Sequence, residues 1–215
     1  MATVSPLSKE DRNVLNEVAW RTYMELRENP ENYHLRMTYD QGALEFTSPS
    51  ARHKGFSRIL DLLISDWTEE LNIPVRGLRQ MTCKREDIAK GLEPDDCYYV
   101  QTEPEMRNKL EVDLAVDLPP DLAIEVEVSR SSIKKMPIYA ALGIRELWRY
   151  DGQILRIYEL VDGQYQSRET SQCFPGFPVG KAEEVLQKIS TIDDTTLVRG
   201  FRRWVRKTYP EATGD

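Results

Sequence analysis

The chain has 215 residues, of which 40% are hydrophobic and 30% charged, with a formal net charge of −7. No apolar run approaches the ~18 residues of a membrane span, and a net acidic chain does not coat nucleic acid, whose binding draws mostly on Lys and Arg. One soluble globular domain, 1–215, is expected; a nuclease is not excluded, since carboxylates lower the total charge while a local basic strip still grips a backbone.

Met1 to Glu10 lacks the basic-then-apolar pattern of a secretory signal, so a cytoplasmic location is expected. Ser8 opens a predicted helix that runs to about Glu28 and stops at Asn29-Pro30. Tyr33 to Tyr39 and Ala43 to Thr47 form a hairpin about Asp40-Gln41-Gly42. Phe56, Ile59, Leu60, Leu63, Ile64, Trp67 and Leu71 then recur at helical spacing, giving the main core helix. Val75 to Cys83 and Cys97 to Gln101 read as strands. In Asp121 to Ser129, Leu122, Ile124, Val126 and Val128 point one way, and Ala123, Glu125, Glu127 and Ser129 the other.

A helix follows Ser131-Ser132 and ends near Gly143, with Pro137 admissible only in its first turn. Arg145 to Tyr150 and Gln153 to Leu160 flank Asp151-Gly152, a pair suited to a two-residue hairpin turn, and Asp162-Gly163 turns the chain again. Helices are predicted over Ala182 to Ile189 and Asp194 to Lys207, and the tail to Asp215 has no core pattern. The fold class is α/β (α+β): a mixed β-sheet flanked by helices, with a helix and hairpin at the N-terminus and helices at the C-terminus. Cys83, Cys97 and Cys173 are odd in number and lack metal-ligand spacing, which predicts reduced core thiols.

The strand over Asp121 to Ser129 carries the chemistry. Glu125 and Glu127 share one face, roughly 7 Å apart along the strand. An aliphatic strand of this kind is covered by helices, where unpaired carboxylates are costly, so a cation, a lysine or a ligand is expected beside them. Asp95, at the entrance of the preceding strand, can be brought beside Glu125, and such hard oxygen donors suit Mg²⁺ or Mn²⁺. Tyr98, Tyr99, Trp148 and Tyr150 read as core aromatics rather than base-stacking platforms. Ser129, Ser131 and Ser132 have no partner histidine after them and no nucleophile elbow, so a serine hydrolase is not expected. Arg52, Lys54 and Arg58 form one basic strip, while Arg199, Arg202, Arg203, Arg206 and Lys207 read as a solvated helix face.

The segments LEFTSPSARH, GLEPDDCYYV, PPDLAIEVEVS and SSIKKMPIYAALGIRELWRYDG, in that order between about Tyr33 and Tyr158, resemble the Uma family of restriction endonucleases in the PD-(D/E)XK nuclease superfamily. The resemblance implies a restriction-endonuclease-like core over 33–160, Asp95 as the motif aspartate and Glu125 as the acid of the (D/E)XK element. Glu127 stands where the superfamily usually has its lysine. A Lys-x-x-x-Tyr pattern at Lys135 and Tyr139 offers the displaced lysine, with Lys134 as its neighbouring alternative. His53, at a position where the family also has histidine, has either a structural cap or packing role or a functional one as a proton donor or phosphate contact at the site edge. Glu45 is either a further acid of the site or simply exposed.

The expected function is a Mg²⁺- or Mn²⁺-dependent endodeoxyribonuclease acting on DNA. Asp95, Glu125 and Glu127 are its metal candidates, and Lys135 and His53 complete the catalytic set. A homodimer is expected, because cutting two strands calls for two sites. The competing expectation is a catalytically inactive nuclease-like module that binds nucleic acid or a protein, motivated by Glu127. A metal-dependent hydrolase of another phosphoester is the third.

Overall fold

The computed structural model describes residues 11–128 and 131–210. The predicted helix start at Ser8, the Met1 to Glu10 segment and Ser129 lie outside the described residues.

The strands divide between two sheets rather than one. The first has the order β1-β3-β2-β6-β5, built from β1 (Asp11–Leu15), β2 (Arg36–Asp40), β3 (Ala43–Ser48), β5 (Cys83–Arg85) and β6 (Lys90–Leu92), all antiparallel. The predicted hairpin is present as β2 and β3. Its turn residues Gln41 and Gly42 both take positive φ, 48° and 97°, as a tight primed turn requires. The predicted N-terminal helix is corrected: its first part is β1, paired along β3 from Leu15 opposite Leu44. Glu17 then takes φ 58°, and helix α1 begins only at Trp20, running to Glu28. Sheet pairing overrides the helix-favouring composition there. Tyr23 of α1 stacks on Tyr39 at 4.9 Å and closes a small core with Met37 and Leu44.

The second sheet has the order β11-β10-β9-β8-β7-β4. Its strands are β4 (Arg76–Gly77), β7 (Asp96–Tyr99), β8 (Leu122–Val126), β9 (Glu146–Tyr150), β10 (Leu155–Val161) and β11 (Gln164–Arg168). Only β8 and β9 run parallel, and the crossover that parallel neighbours need is helix α4 (Lys135–Ala141). Pro137 falls in the first turn of α4, where its missing N–H costs nothing. The predicted strand over Val75 to Cys83 is corrected to two short pieces in different sheets, β4 and β5, with Arg79 at φ 50° between them. Asp151-Gly152 is likewise not a two-residue turn. Tyr150 pairs with Leu155, and the Asp151 carboxylate accepts the N–H groups of Gln153 and Ile154, both at 2.9 Å, shaping a four-residue loop. The two-residue turn lies at Asp162-Gly163, both at positive φ.

Helix α2 (Ala51–Glu70) is capped by Ser50, whose hydroxyl accepts the His53 N–H at 3.2 Å, and lies across one face of the second sheet. Its Phe56, Leu60, Leu63 and Trp67 meet Ile124 and Trp148 in the main core. Helices α5 (Val179–Leu186) and α6 (Asp194–Thr208) pack beside α2, and a single turn, α3, spans Glu103–Met106. On the other face Ala123 and Leu147 meet Ile138 and Tyr139 of α4. Every residue of β8 is buried, its aliphatic side under α2 and its acidic side toward α4. Tyr98, Tyr99, Trp148 and Tyr150 are core residues, and all three cysteines are free and buried. Among the described residues, no helix is long and apolar enough to cross a membrane.

Candidate active site

The acidic side of β8 lies where the two sheets meet. Asp95 enters β7 opposite β8: its N–H donates to the Ile124 carbonyl at 2.9 Å, and its Oδ2 accepts the Val126 N–H at 2.7 Å. The neighbouring-strand placement beside Glu125, expected from the sequence, is thereby present. Asp95 is fully buried. Its Oδ1 is ion-paired with Arg36 of β2 and lies 2.5 Å from His53 Nε2. Burial alone drives this carboxyl upward, but the His53 hydrogen bond and the Arg36 charge outweigh it and hold the group down at about 2. Asp95 is therefore an anion at any ordinary pH. Burial lowers and Asp95 raises the Arg36 guanidinium, and the net result is upward. His53 is buried, its backbone N–H is capped by Ser50 and its ring holds Asp95.

Glu125 is also buried, at 3% exposure. One carboxylate oxygen is ion-paired with Lys135, and the other accepts the Tyr139 hydroxyl proton at 2.6 Å. One helical turn separates Lys135 from Tyr139, so α4 presents both to the same carboxylate. Burial first, and then the Glu125 charge, push the Tyr139 phenol well up, keeping it a donor. Of the two lysines, Lys135 makes this contact and Lys134 lies exposed at the helix start. A lysine of α4 therefore stands beside Glu125, where position 127 carries an acid.

Glu45 is fully buried rather than exposed. It accepts the Ser131 hydroxyl at 2.7 Å and the backbone N–H groups of Ser132 and Ile133 at 3.1 and 3.2 Å, tying the first sheet to the entry of α4. Arg36 and Glu45 are the residues that sequence reading missed or underrated. Only an arginine and an acid facing inward from a hairpin could have flagged them.

Glu127 takes a different partner from Asp95 and Glu125. It is ion-paired with Arg149 of β9, which sits in register with Glu125 across the parallel strands. Both line a cavity of about 360 Å³ whose wall also carries Glu125, Lys134, Lys135 and Tyr139. Among the described residues, no group of three or more His, Cys, Asp and Glu stands arranged to hold a metal ion. The fold offers a pair, Asp95 and Glu125. Two carboxylates on adjoining strands, one of them in a cavity wall, suit Mg²⁺, which binds through one or two carboxylates while keeping waters and taking substrate oxygens. The donor type fits, but every oxygen is engaged, those of Asp95 by Arg36, His53 and the Val126 N–H and those of Glu125 by Lys135 and Tyr139, so a cation would have to displace some of these partners.

Two of the basic residues of α6 are engaged by acids of α2. Arg202 pairs with Asp66 and with Glu69 at 2.9 Å, and Arg206 with Glu70 at 2.7 Å, so this face of α6 is bound to α2.

The Uma2 family, described as "Putative restriction endonuclease", matches residues 20–193. A solved structure described as a "putative nuclease belonging to DUF820 from Anabaena variabilis" aligns with 86% of this chain and 99% of its own, at 14% identity and a TM-score of 0.51. No curated protein matches significantly. The fold is that of a nuclease-like α/β protein. The chain belongs to the Uma2 family, and the match extends beyond the 33–160 core at both ends.

Proposed function

We propose that this chain is a metal-dependent endodeoxyribonuclease that hydrolyses phosphodiester bonds, with Mg²⁺ or Mn²⁺ held by Asp95 and Glu125. The observation that supports it best is the convergence of Lys135 and Tyr139 on Glu125, one strand from an Asp95 kept ionised by Arg36 and His53. When bound, the cation supplies Lewis acidity to the scissile phosphate and acidifies an attacking water. The protein's own groups do the rest. Arg36 and His53 orient Asp95 and hold its charge, acting through it as positioning residues. Tyr139 fixes the Glu125 carboxylate. Lys135 reaches the cavity and offsets the charge that develops on the phosphate.

The reading as an inactive binding module rests on Glu127 in place of lysine, and Lys135 beside Glu125 weighs against it. Cutting both strands calls for two such sites, which a two-fold homodimer supplies.

The test is plasmid cleavage with Mg²⁺ or Mn²⁺. Wild type nicks and linearises the plasmid, EDTA abolishes this, Asp95→Ala and Glu125→Ala leave no activity, and Lys135→Ala slows it by about 100-fold. Equal cleavage by all four proteins, or none by wild type with either metal, overturns the proposal.

A further inference from the structure

The Glu127 and Arg149 pair is not used by the mechanism above. Both side chains are partly exposed, 23% and 31%, at the cavity that holds Glu125 and Lys135. A guanidinium has five N–H donors. Here Nη2 meets Glu127, and Nη1 meets the Met136 sulfur at 3.1 Å, a weak acceptor. Arg149 is thus a bidentate donor occupied by one carboxylate and a thioether. It stands beside Glu125 in the strand register, so a phosphodiester lying against Glu125 and Lys135 has the Arg149 fork as its next neighbour across the sheet.

We infer that Arg149 is a phosphodiester-binding residue and that Glu127 is its resident counter-anion, displaced when the nucleic-acid backbone enters the cavity. This rests on the nuclease reading and deepens it. The exchange is feasible because both half-buried side chains reach the cavity and the arriving phosphate takes the place of Glu127 at the guanidinium, so the cation is not left unpaired. It also explains an acid at position 127: Glu127 occupies the cation and competes with every phosphate that arrives. A ligand must outbid it, so Glu127 lowers affinity for backbones in general and screens out weakly bound anions.

The coupling between the two residues is the test. A short fluorescein-labelled DNA duplex is titrated with each full-length protein in Ca²⁺, following anisotropy across a salt series, and an RNA duplex is run alongside. Glu127→Gln tightens binding by about fivefold, and Arg149→Gln weakens it by about tenfold with a salt slope shallower by about 1. In the double variant the gain from Glu127→Gln disappears, because the cation it guarded is gone. Arg149→Lys keeps the charge and a flexible side chain on β9, and restores the slope but not the full affinity. The same coupling with either polymer supports the inference and identifies which backbone the cavity takes.

If Glu127→Gln tightens binding equally with and without Arg149, the acid acts only through overall charge and the inference falls while the nuclease reading stands. If wild type and every variant bind neither duplex, both fall.

Discussion

Asp95 and Asp96 are consecutive and equally hidden, at 0% and 1% exposure, yet they titrate in opposite directions. Strand alternation sends them to opposite faces of the second sheet. Asp95 meets Arg36 and His53 and is held down at about 2. Asp96 faces Asp61 of α2: one oxygen accepts the Cys97 N–H at 2.9 Å, the other has no hydrogen-bond partner among the described residues, and the Tyr98 hydroxyl and the Arg79 charge offset only part of the rise. Burial, and then the Asp61 charge, push Asp96 up to about 7. Equal burial therefore decides nothing by itself. The partner decides whether a hidden carboxyl is a permanent anion or an acid that is neutral over much of the ordinary pH range.

The largest way to break this contrast is Asp95→Asn. It leaves the Arg36 charge buried without its counter-ion, which costs about 3 to 5 kcal/mol and lowers Tm by about 10 °C at neutral pH. Calorimetry reads this directly, and an unchanged Tm would mean that the pair is not what holds Asp95. The pH dependence follows the same sign. A depressed carboxyl contributes stability above its unfolded value of ~3.9, and this is lost as pH falls through about 2, so Asp95→Asn flattens the acid limb.

Asp96→Asn acts in the other direction and less strongly. Asp96 is protonated in the folded chain up to about 7 but ionised in the unfolded chain above ~3.9, so wild type loses stability as pH climbs between those values. Asparagine removes that loss. The variant matches wild type near pH ~3.5 and exceeds it at pH ~8 by on the order of 3 kcal/mol, measured by urea unfolding at both pH values. A variant no more stable at the higher pH would show that Asp96 is already relieved.

The smallest effect is expected at Glu70 and Arg206. Glu70 is lowered chiefly by its hydrogen bond from Arg206, the same chemistry as Asp95 with Arg36, but Arg206 is 59% exposed. Arg206→Ala therefore shifts Tm by no more than about 2 °C. A larger drop would mean that the α2 and α6 contact leans on this pair.

Much of this was legible beforehand, and the misses have a common cause. The α2 periodicity, the two-faced β8 and the Lys-x-x-x-Tyr spacing each express a local period, and local periods survive in sequence. Arg36 does not announce itself, because its value comes from Asp95 in another sheet. Glu45 reads as one more surface acid until three donors from the entry of α4 close on it. The Asp151 loop was misread because a side chain, not the Asp-Gly preference, shapes it. Glu127 was grouped with Glu125 by strand alternation alone, and β8 ends at Val126, one residue before it.

The contacts around Asp95 and Glu45 also span long stretches of chain: Arg36 reaches across 59 residues to Asp95, and Ser131 across 86 to Glu45. Closing loops of that length comes late in folding, after local helices and hairpins have formed. A ribosome-bound fragment ending before α4 has the hairpin and α2 but lacks Lys135 and Tyr139. A chain that ends before α4 is thus left without the proposed site, and so is one that misfolds in either sheet.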